Sequence, residues 1–283
     1  MSWPRILEVE VFCAELPYKE AFTIALGTSV KSWNIVVRVV TEDGAEGWGE
    51  GSPSLIILGE TRGMATACAR SLAERLVKAE ELSLEHLYEM CTSAASPSAA
   101  AAVEEAVLDA WARGAGLSMA KLLGGPYRRS IETDVTIGIM KPEEQAARAV
   151  KYVEEGFRIL KLKLGTDPEE DVERVRAVRD AVGEGIRIRV DANQGWSVEE
   201  AIRVIDRIAC YEVEYVEQPV RWDDLEGLAR VRRESPIPIA VDETVKKAED
   251  VFRVAEREAA DIVNICLLYT SDAADDGESV DLG

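Results

Sequence analysis

The chain is poor in the residues that most often build polar sites. Its 283 residues include one histidine, three asparagines and three glutamines. The histidine, His86 in SLEHLYEM, reads as an exposed helical residue. A His-rich metal centre is excluded, and a Ser-His-Asp triad has only this imidazole to draw on. Cys13, Cys68, Cys91, Cys210 and Cys266 are scattered, odd in number and never in CxxC spacing. That excludes a disulfide framework and a thiolate zinc site, and fits reduced thiols in the cytoplasm. No apolar run approaches the length of a membrane span, and MSWPRILEVEVF has no basic segment followed by an apolar one. Neither a membrane helix nor a secretory leader is expected. Positive charge is short as well: Lys plus Arg number 33 against 53 Asp plus Glu, a net charge of −20. So acidic a surface repels nucleic acid and anionic lipid. No GxGxxG or GxxxxGK[ST] follows a predicted strand, which counts against nucleotide binding.

What is present falls into two patterns. Residues 4–15 alternate apolar and polar as a strand, and NIVVRVVTEDGAEGWGE reads as two strands turning at Asp43-Gly44. Loops are expected at 18–29 and 51–61. Residues from about 61 to 116 are Ala-rich with apolar residues at helical spacing, and Ser96-Pro97 marks a new helix start. Residues 1–125 therefore read as an α+β domain. From 126 to 265 strand and helix alternate strictly. ETDVTIGI, FRILKLKLG, IRIRVDANQGW, YVEQPV, IPIAVDET and DIVNI are six strands with five helices between them. This is an α/β pattern with a parallel sheet, either doubly wound or a (β/α) barrel.

Charged residues mark the ends of successive strands: Lys161 and Lys163, then Asp191, Glu217 and Asp242. The steps from Lys163 are 28, 26 and 25 residues, about one β-α unit each. One charge after a strand is ordinarily a solvated turn. Three carboxylates and two lysines in register on four consecutive strands converge on one mouth if the sheet closes into a barrel. Three acids crowded there repel unless a cation sits among them, and oxygen ligands without Cys or His favour Mg²⁺. Strand alternation in RILKLKLG puts Ile159, Lys161 and Lys163 on one face and Leu160, Leu162 and Leu164 on the other. Two neighbouring ammonium groups depress each other's pKa, which suits a lysine general base. Together these groups fit removal of a proton α to a metal-bound carboxylate through an enediolate. Asn193 and Glu243, beside the acids in the chain, are read as their supports.

At these residues the chain resembles the muconate-lactonizing branch of the enolase superfamily, within the mandelate racemase/muconate lactonizing enzyme family. The strings KLKLG, VDANQGW, VEQPV and VDET carry the likeness in order and spacing. AFTIALGTS, GWGE and ETDVTIGI extend it over residues 4–265. The resemblance implies an enolase-like α/β architecture. An N-terminal α+β capping domain (1–125) would cover a modified (β/α) TIM-type barrel (126–265), here incomplete with about six strands. It implies Mg²⁺ at Asp191, Glu217 and Asp242, Lys163 as one acid/base, and Lys161 assisting at the substrate carboxylate. It also implies substrate contact at Thr136, with the loops 18–29 and 51–61 closing over the site and selecting the substrate. The implied reaction is epimerisation of a dipeptide or N-acylamino acid. Muconate-type cycloisomerisation and o-succinylbenzoate synthesis are the alternatives within the branch, and a non-catalytic carboxylate-binding barrel is the alternative outside catalysis. Glu20 stands in the first loop, where epimerases of acidic dipeptides tend to carry a basic residue; it points to a substrate with a neutral or cationic end. The expected partners are a small carboxylate and further copies of the chain in a homo-oligomer.

The family's second catalytic lysine lies in a string like VNIKL. Here the string is VNICL, with Cys266 in the lysine's place. Composition shifts at that residue: 266–283 carries five acids and no Lys or Arg. CLLYTSDAAD resembles one translated frame of a common sequencing adaptor, so 266–283 is expected to be foreign to the gene. Resequencing the source DNA past codon 265 checks this. A lysine codon after Ile265 and roughly two further β-α units are expected, as a closed barrel needs. CLLYTSDAADD codons that terminate the gene would remove the second base altogether.

Overall fold

The computed structural model describes residues 3–267 and the backbone of 280–281. The chain forms two compact units. One holds residues up to 19 and 31–129; the other holds 20–30 and 130–265.

The first unit is a sheet with helices. Strands β1 (Ile6–Ile24), β2 (Gly27–Thr41) and β3 (Glu46–Gly51) lie in the order β1-β2-β3. Helices α1 (Arg62–Lys78), α2 (Leu84–Thr92), α3 (Pro97–Gly114) and the short α4 (Met119–Leu122) follow. Thr61, Ser83 and Ser96 cap the first three with their hydroxyls, and Pro97 opens α3, where its missing N–H costs nothing. Antiparallel pairing sets Ile35 opposite Gly51, Val37 opposite Gly49 and Val39 opposite Gly47. The three aliphatic side chains are fully buried. The glycines leave α3 room to lie directly on the strand. A Cβ at 47, 49 or 51 would run into the backbone of Ala106 and Ala110, Ala102, or Ser98. Small residues every fourth position on α3 complete this close approach. On the same sheet Arg38 donates to Glu10 at 2.6 Å and Glu46 at 2.5 Å.

Residues 18–29 do not form the expected irregular loop. β1 runs on to Ile24, β2 begins at Gly27, and only Ala25 and Leu26 turn. Hydrogen bonding explains the difference. Thr23 and Thr28 share a hydroxyl bond of 2.9 Å across the turn. Ile139 N–H donates to Thr23 O at 2.8 Å, so the hairpin tip is held on the second unit by main chain. The stretch 52–61 is a loop as expected, with Ser54 O accepting from Leu58 N–H and Glu60 N–H just before α1.

The second unit alternates strand and helix: β4 (Val135–Ile137), α5 (Pro142–Glu154), β5 (Ile159–Lys163), α6 (Pro168–Val182), β6 (Arg187–Asp191), α7 (Val198–Ile208), β7 (Val213–Glu217), α8 (Leu225–Glu234), β8 (Ile239–Val241), α9 (Ala248–Glu256) and β9 (Ile262–Val263). β4 to β9 are adjacent and parallel in chain order, and β10 (Val280–Asp281) pairs antiparallel with β9. This is the expected α/β arrangement of six barrel-type strands. Leu160, Leu162, Leu164, Ile188 and Val190 form the core with Val175, Val178, Val204 and Ile205 of the helices. Each such side chain contributes about 1.5–3 kcal/mol by leaving water. Ser197 and Glu200 form a reciprocal capping box at α7, and Asp167 caps α6. Among the described residues no helix is long and apolar enough to cross a membrane. Of the segment 266–283, only Cys266, Leu267 and the backbone of 280–281 are described, so the reading of that tail otherwise lies outside the described residues.

A Gly49→Val variant should lower the denaturation midpoint, at a cost of about 1–3 kcal/mol, because the added carbons meet α3 backbone rather than a yielding side chain. Gly63→Ala, where an added Cβ meets nothing, should leave the midpoint unchanged or raise it. Equal effects in urea titrations would contradict the close approach.

Candidate active site

Parallel register brings the strand-end charges together. Lys163 pairs in register with Asp191, and Asp191 with Glu217; Asp242 follows the last residue of β8. Lys161 Nζ lies 2.7 Å from both Glu217 oxygens and 3.1 Å from Asp191 Oδ2, bridging the two acids. It donates along Oε1, which leaves Glu217 Oε2 without a hydrogen bond. Lys163 Nζ donates to Asp191 Oδ2 at 2.5 Å and to Asn193 Oδ1 at 2.9 Å. Asn193 also donates its backbone N–H to Asp191 Oδ1 at 2.9 Å and its amide to Glu243 Oε1 at 3.1 Å.

Burial makes these contacts decisive. Asp191 is 1% exposed and Glu217 0%. Burial pushes Glu217 up, Asp191 and Asp242 add to this, and Lys161 only partly opposes it, so the carboxyl stands at about 8. Burial alone would also raise Asp191, but Lys163 and Lys161 outweigh it and hold that carboxyl below its ordinary value. Glu243 is raised to about 7 by burial and by the charges of Asp191 and Asp242. Lys161 reverses the sequence expectation. Burial pulls its ammonium down, but Asp191 and Glu217 together hold it well above the ordinary lysine value. The reason is geometric: its ammonium lies against the carboxylates of Asp191 and Glu217.

Several residues that hold this arrangement were not picked out from the sequence. Gln145 of α5 is fully buried and donates to Gly138 O at 3.1 Å and Lys163 O at 3.3 Å. Asp171 of α6, also fully buried, accepts from Gly165 N–H at 2.9 Å, Trp196 Nε1–H at 2.9 Å and Arg174 at 2.6 Å. Arg174 in turn donates to Met140 O at 2.8 Å, so this pair ties the loops after β4, β5 and β6. Asn264, just past β9, donates to Glu217 Oε1 at 3.5 Å. Asn193, Gln194 and Gln218 adopt left-handed φ of 40°, 69° and 38°. Such conformations cost of order 1 kcal/mol each and gather at functional sites. The one legible signal was amide placement. Five of the six Asn and Gln residues lie in this unit: Asn193, Gln194, Gln218 and Asn264 just past strand ends, and Gln145 in the first turn of α5.

The remaining sequence candidates are placed as follows. Thr136 lies on β4 in register with Lys161. Glu20 is exposed on the hairpin tip and ion-paired with Arg148 of α5, which lowers its carboxyl pKa. Among the described residues no three His, Cys, Asp or Glu side chains draw together closely enough to hold an ion, and Lys161 supplies the countercharge. The donor chemistry nonetheless fits a hard divalent cation. All donors are carboxylate oxygens, one of them (Glu217 Oε2) is buried without a hydrogen bond, and burial together with repulsion from Asp191 and Asp242 raises Glu217 in a way a cation would relieve.

These shifts give stability a sign. Glu217 and Glu243 have folded values of about 8 and about 7 against an ordinary 4.5. Between those limits the folded protein keeps protons that the unfolded chain has released, so stability falls as pH rises. Asp191 acts oppositely, but only in acid. In metal-free buffer the urea midpoint should therefore drop between pH 6 and pH 8.5, and Glu217→Gln should flatten that drop. A midpoint that rises over this range would contradict the arrangement.

Residues 6–124 match the mandelate racemase / muconate lactonizing enzyme N-terminal domain, and residues 144–271 the enolase C-terminal domain-like family. A hydrophobic dipeptide epimerase of Enterococcus faecalis is 38% identical, covering 93% of this chain and 75% of the relative. An L-Ala-D/L-Glu epimerase of Bacillus subtilis is 36% identical, with 93% and 74% covered. The crystal structure of the dipeptide epimerase from Enterococcus faecalis, complexed with Mg and the dipeptide L-Leu-L-Tyr, matches with a TM-score of 0.89. It is 36% identical, with 94% of this chain and 76% of that chain covered. With these domains, these relatives and this arrangement of strand ends, the chain belongs to the mandelate racemase/muconate lactonizing enzyme family of the enolase superfamily and is an isomerase.

Proposed function

We propose that the protein removes the proton α to the carboxylate of a small amino-acid derivative, and that its substrate is a dipeptide or an N-acylamino acid. The observation that carries this reading is the buried cluster of Lys161, Lys163, Asp191 and Glu217 at adjacent strand ends. The dipeptide epimerases among its relatives support the substrate class. Asp191, Glu217 and Asp242 would hold Mg²⁺, which when bound neutralises charge building on the substrate carboxylate. Lys163, oriented by Asp191 and Asn193, carries the α-proton. Lys161 faces the acids and supplies positive charge beside the substrate carboxylate. Thr136, in register with Lys161, contacts the substrate from β4. Glu20, ion-paired with Arg148 and exposed, would favour a substrate with a neutral or cationic end. The free thiols of Cys13, Cys68, Cys91 and Cys210 support a cytoplasmic setting.

Cys266 stands where the resemblance places the second lysine, so this chain works on one face of the substrate only. In D₂O with Mg²⁺, the α-proton of one enantiomer of a dipeptide should exchange without inversion, and EDTA should stop it. Lys163→Ala should slow exchange by about 10²–10⁴-fold while leaving the circular dichroism spectrum intact. Exchange of neither enantiomer would favour a carboxylate-binding protein. Inversion would show that a second acid/base exists.

A further inference from the structure

We infer that Gln218 is a positioning residue whose side chain locks the strand ends carrying Glu217 and Asp242 into one frame. The inference rests on the proposed reading of Asp191, Glu217 and Asp242 as a cation site, and extends it to a neutral side chain that touches neither substrate nor ion.

Gln218 is fully buried, and its side chain spends its whole hydrogen-bonding capacity. Its Nε2 donates to Val220 O at 3.0 Å and to Thr244 Oγ1 at 2.9 Å. Its Oε1 accepts from Asp242 N–H at 3.0 Å and from Thr244 N–H at 3.2 Å. The main chain of the same residue is also engaged. Its N–H donates to Ala240 O at 2.8 Å, and its carbonyl accepts from Gln194 N–H at 2.8 Å. Gln218 is joined covalently to Glu217. One residue thus links the loop after β6, the end of β7 and the loop after β8, on which Asp191, Glu217 and Asp242 ride. Its left-handed φ of 38° is held against an intrinsic preference for other conformations, which requires that the surrounding bonds over-determine it.

The residue type follows from the electrostatics. Asp242 N–H and Thr244 N–H need an acceptor, while Val220 O and Thr244 Oγ1 need a donor; only an amide of this length offers both. A carboxylate here would add a charge next to Glu217, already raised by burial and by Asp191 and Asp242. A hydrocarbon would leave two N–H groups without an acceptor.

Three variants test this by two readouts in the full chain: backbone amide hydrogen exchange and Mg²⁺ titration by calorimetry. Gln218→Leu removes both functions, Gln218→Glu keeps the acceptor, and Thr244→Val removes one anchor without changing volume. In Gln218→Leu the Asp242 and Thr244 amides should exchange about tenfold faster relative to Leu162 and Val190 of the core strands. Mg²⁺ affinity should fall about 10–100-fold. Gln218→Glu should retain the protection of both amides, and Thr244→Val should weaken Mg²⁺ less than Gln218→Leu does. The inference is overturned if Gln218→Leu leaves the two amides protected, or speeds core amides equally, which marks a global stability effect. It is also overturned if parent and Gln218→Leu bind Mg²⁺ alike. Should the parent itself bind no Mg²⁺, the cation reading fails, and amide protection alone decides whether Gln218 holds Asp242.

Discussion

Two carboxylates buried side by side set the terms for the second unit. Asp191 and Glu217 sit in register on neighbouring parallel strands, out of water, where their repulsion is barely screened. Neither can move without shifting a strand whose other face is packed with aliphatic side chains. The protein answers with charge of the opposite sign: Lys161 bridges both acids, and Lys163 holds Asp191. The compensation is unequal. Asp191 meets two ammonium groups and stays ionised, while Glu217 meets one and is driven toward its neutral form. A site so balanced gains from any added cation, which is why its donor set suits a divalent metal.

Holding such a cluster requires rigid loops, and the supports are mostly neutral. Gln145, Asn193, Gln218 and Asn264 fix strand ends through amides that donate and accept without adding charge. A charged tie, Asp171 with Arg174, is set back on α6, where it joins the loops after β4, β5 and β6. Burial raises the Asp171 carboxyl even though Trp196, Gly165 and Arg174 all donate to it. Further acids nearer Glu217 would have raised its pKa further; amides do not.

The first unit solves a different problem with different means. Its close packing of α3 on β3 comes from leaving side chains out: glycine on the strand, alanine and serine on the helix. Dispersion between backbones at that separation adds to an aliphatic core that includes Ile35, Val37, Val39, Leu72 and Leu108. The contrast explains the composition. The Ala-rich stretch near residue 100 and the β-branched stretches after 130 are two packing schemes, not one.

Much of this was legible in the sequence wherever the rule is local. Alternation in RILKLKLG assigned the lysines and leucines to opposite faces, and strict strand-helix alternation gave the parallel sheet, since both follow from backbone periodicity alone. The spacing of Asp191, Glu217 and Asp242 likewise announced a shared rim. The hairpin 18–29 was misread as a loop because its order comes from partners far along the chain, Ile139 and Arg148 among them. The direction of the Lys161 shift was misjudged for the same reason. Two lysines two residues apart on one strand face imply mutual repulsion, but their charge balance is decided by acids 28 and more residues away. Residue identity and periodicity thus determined which groups reach the site. Only the tertiary structure decided which of them are charged and what holds them, because Coulombic energy and hydrogen bonding depend on distances that no spacing in the chain encodes.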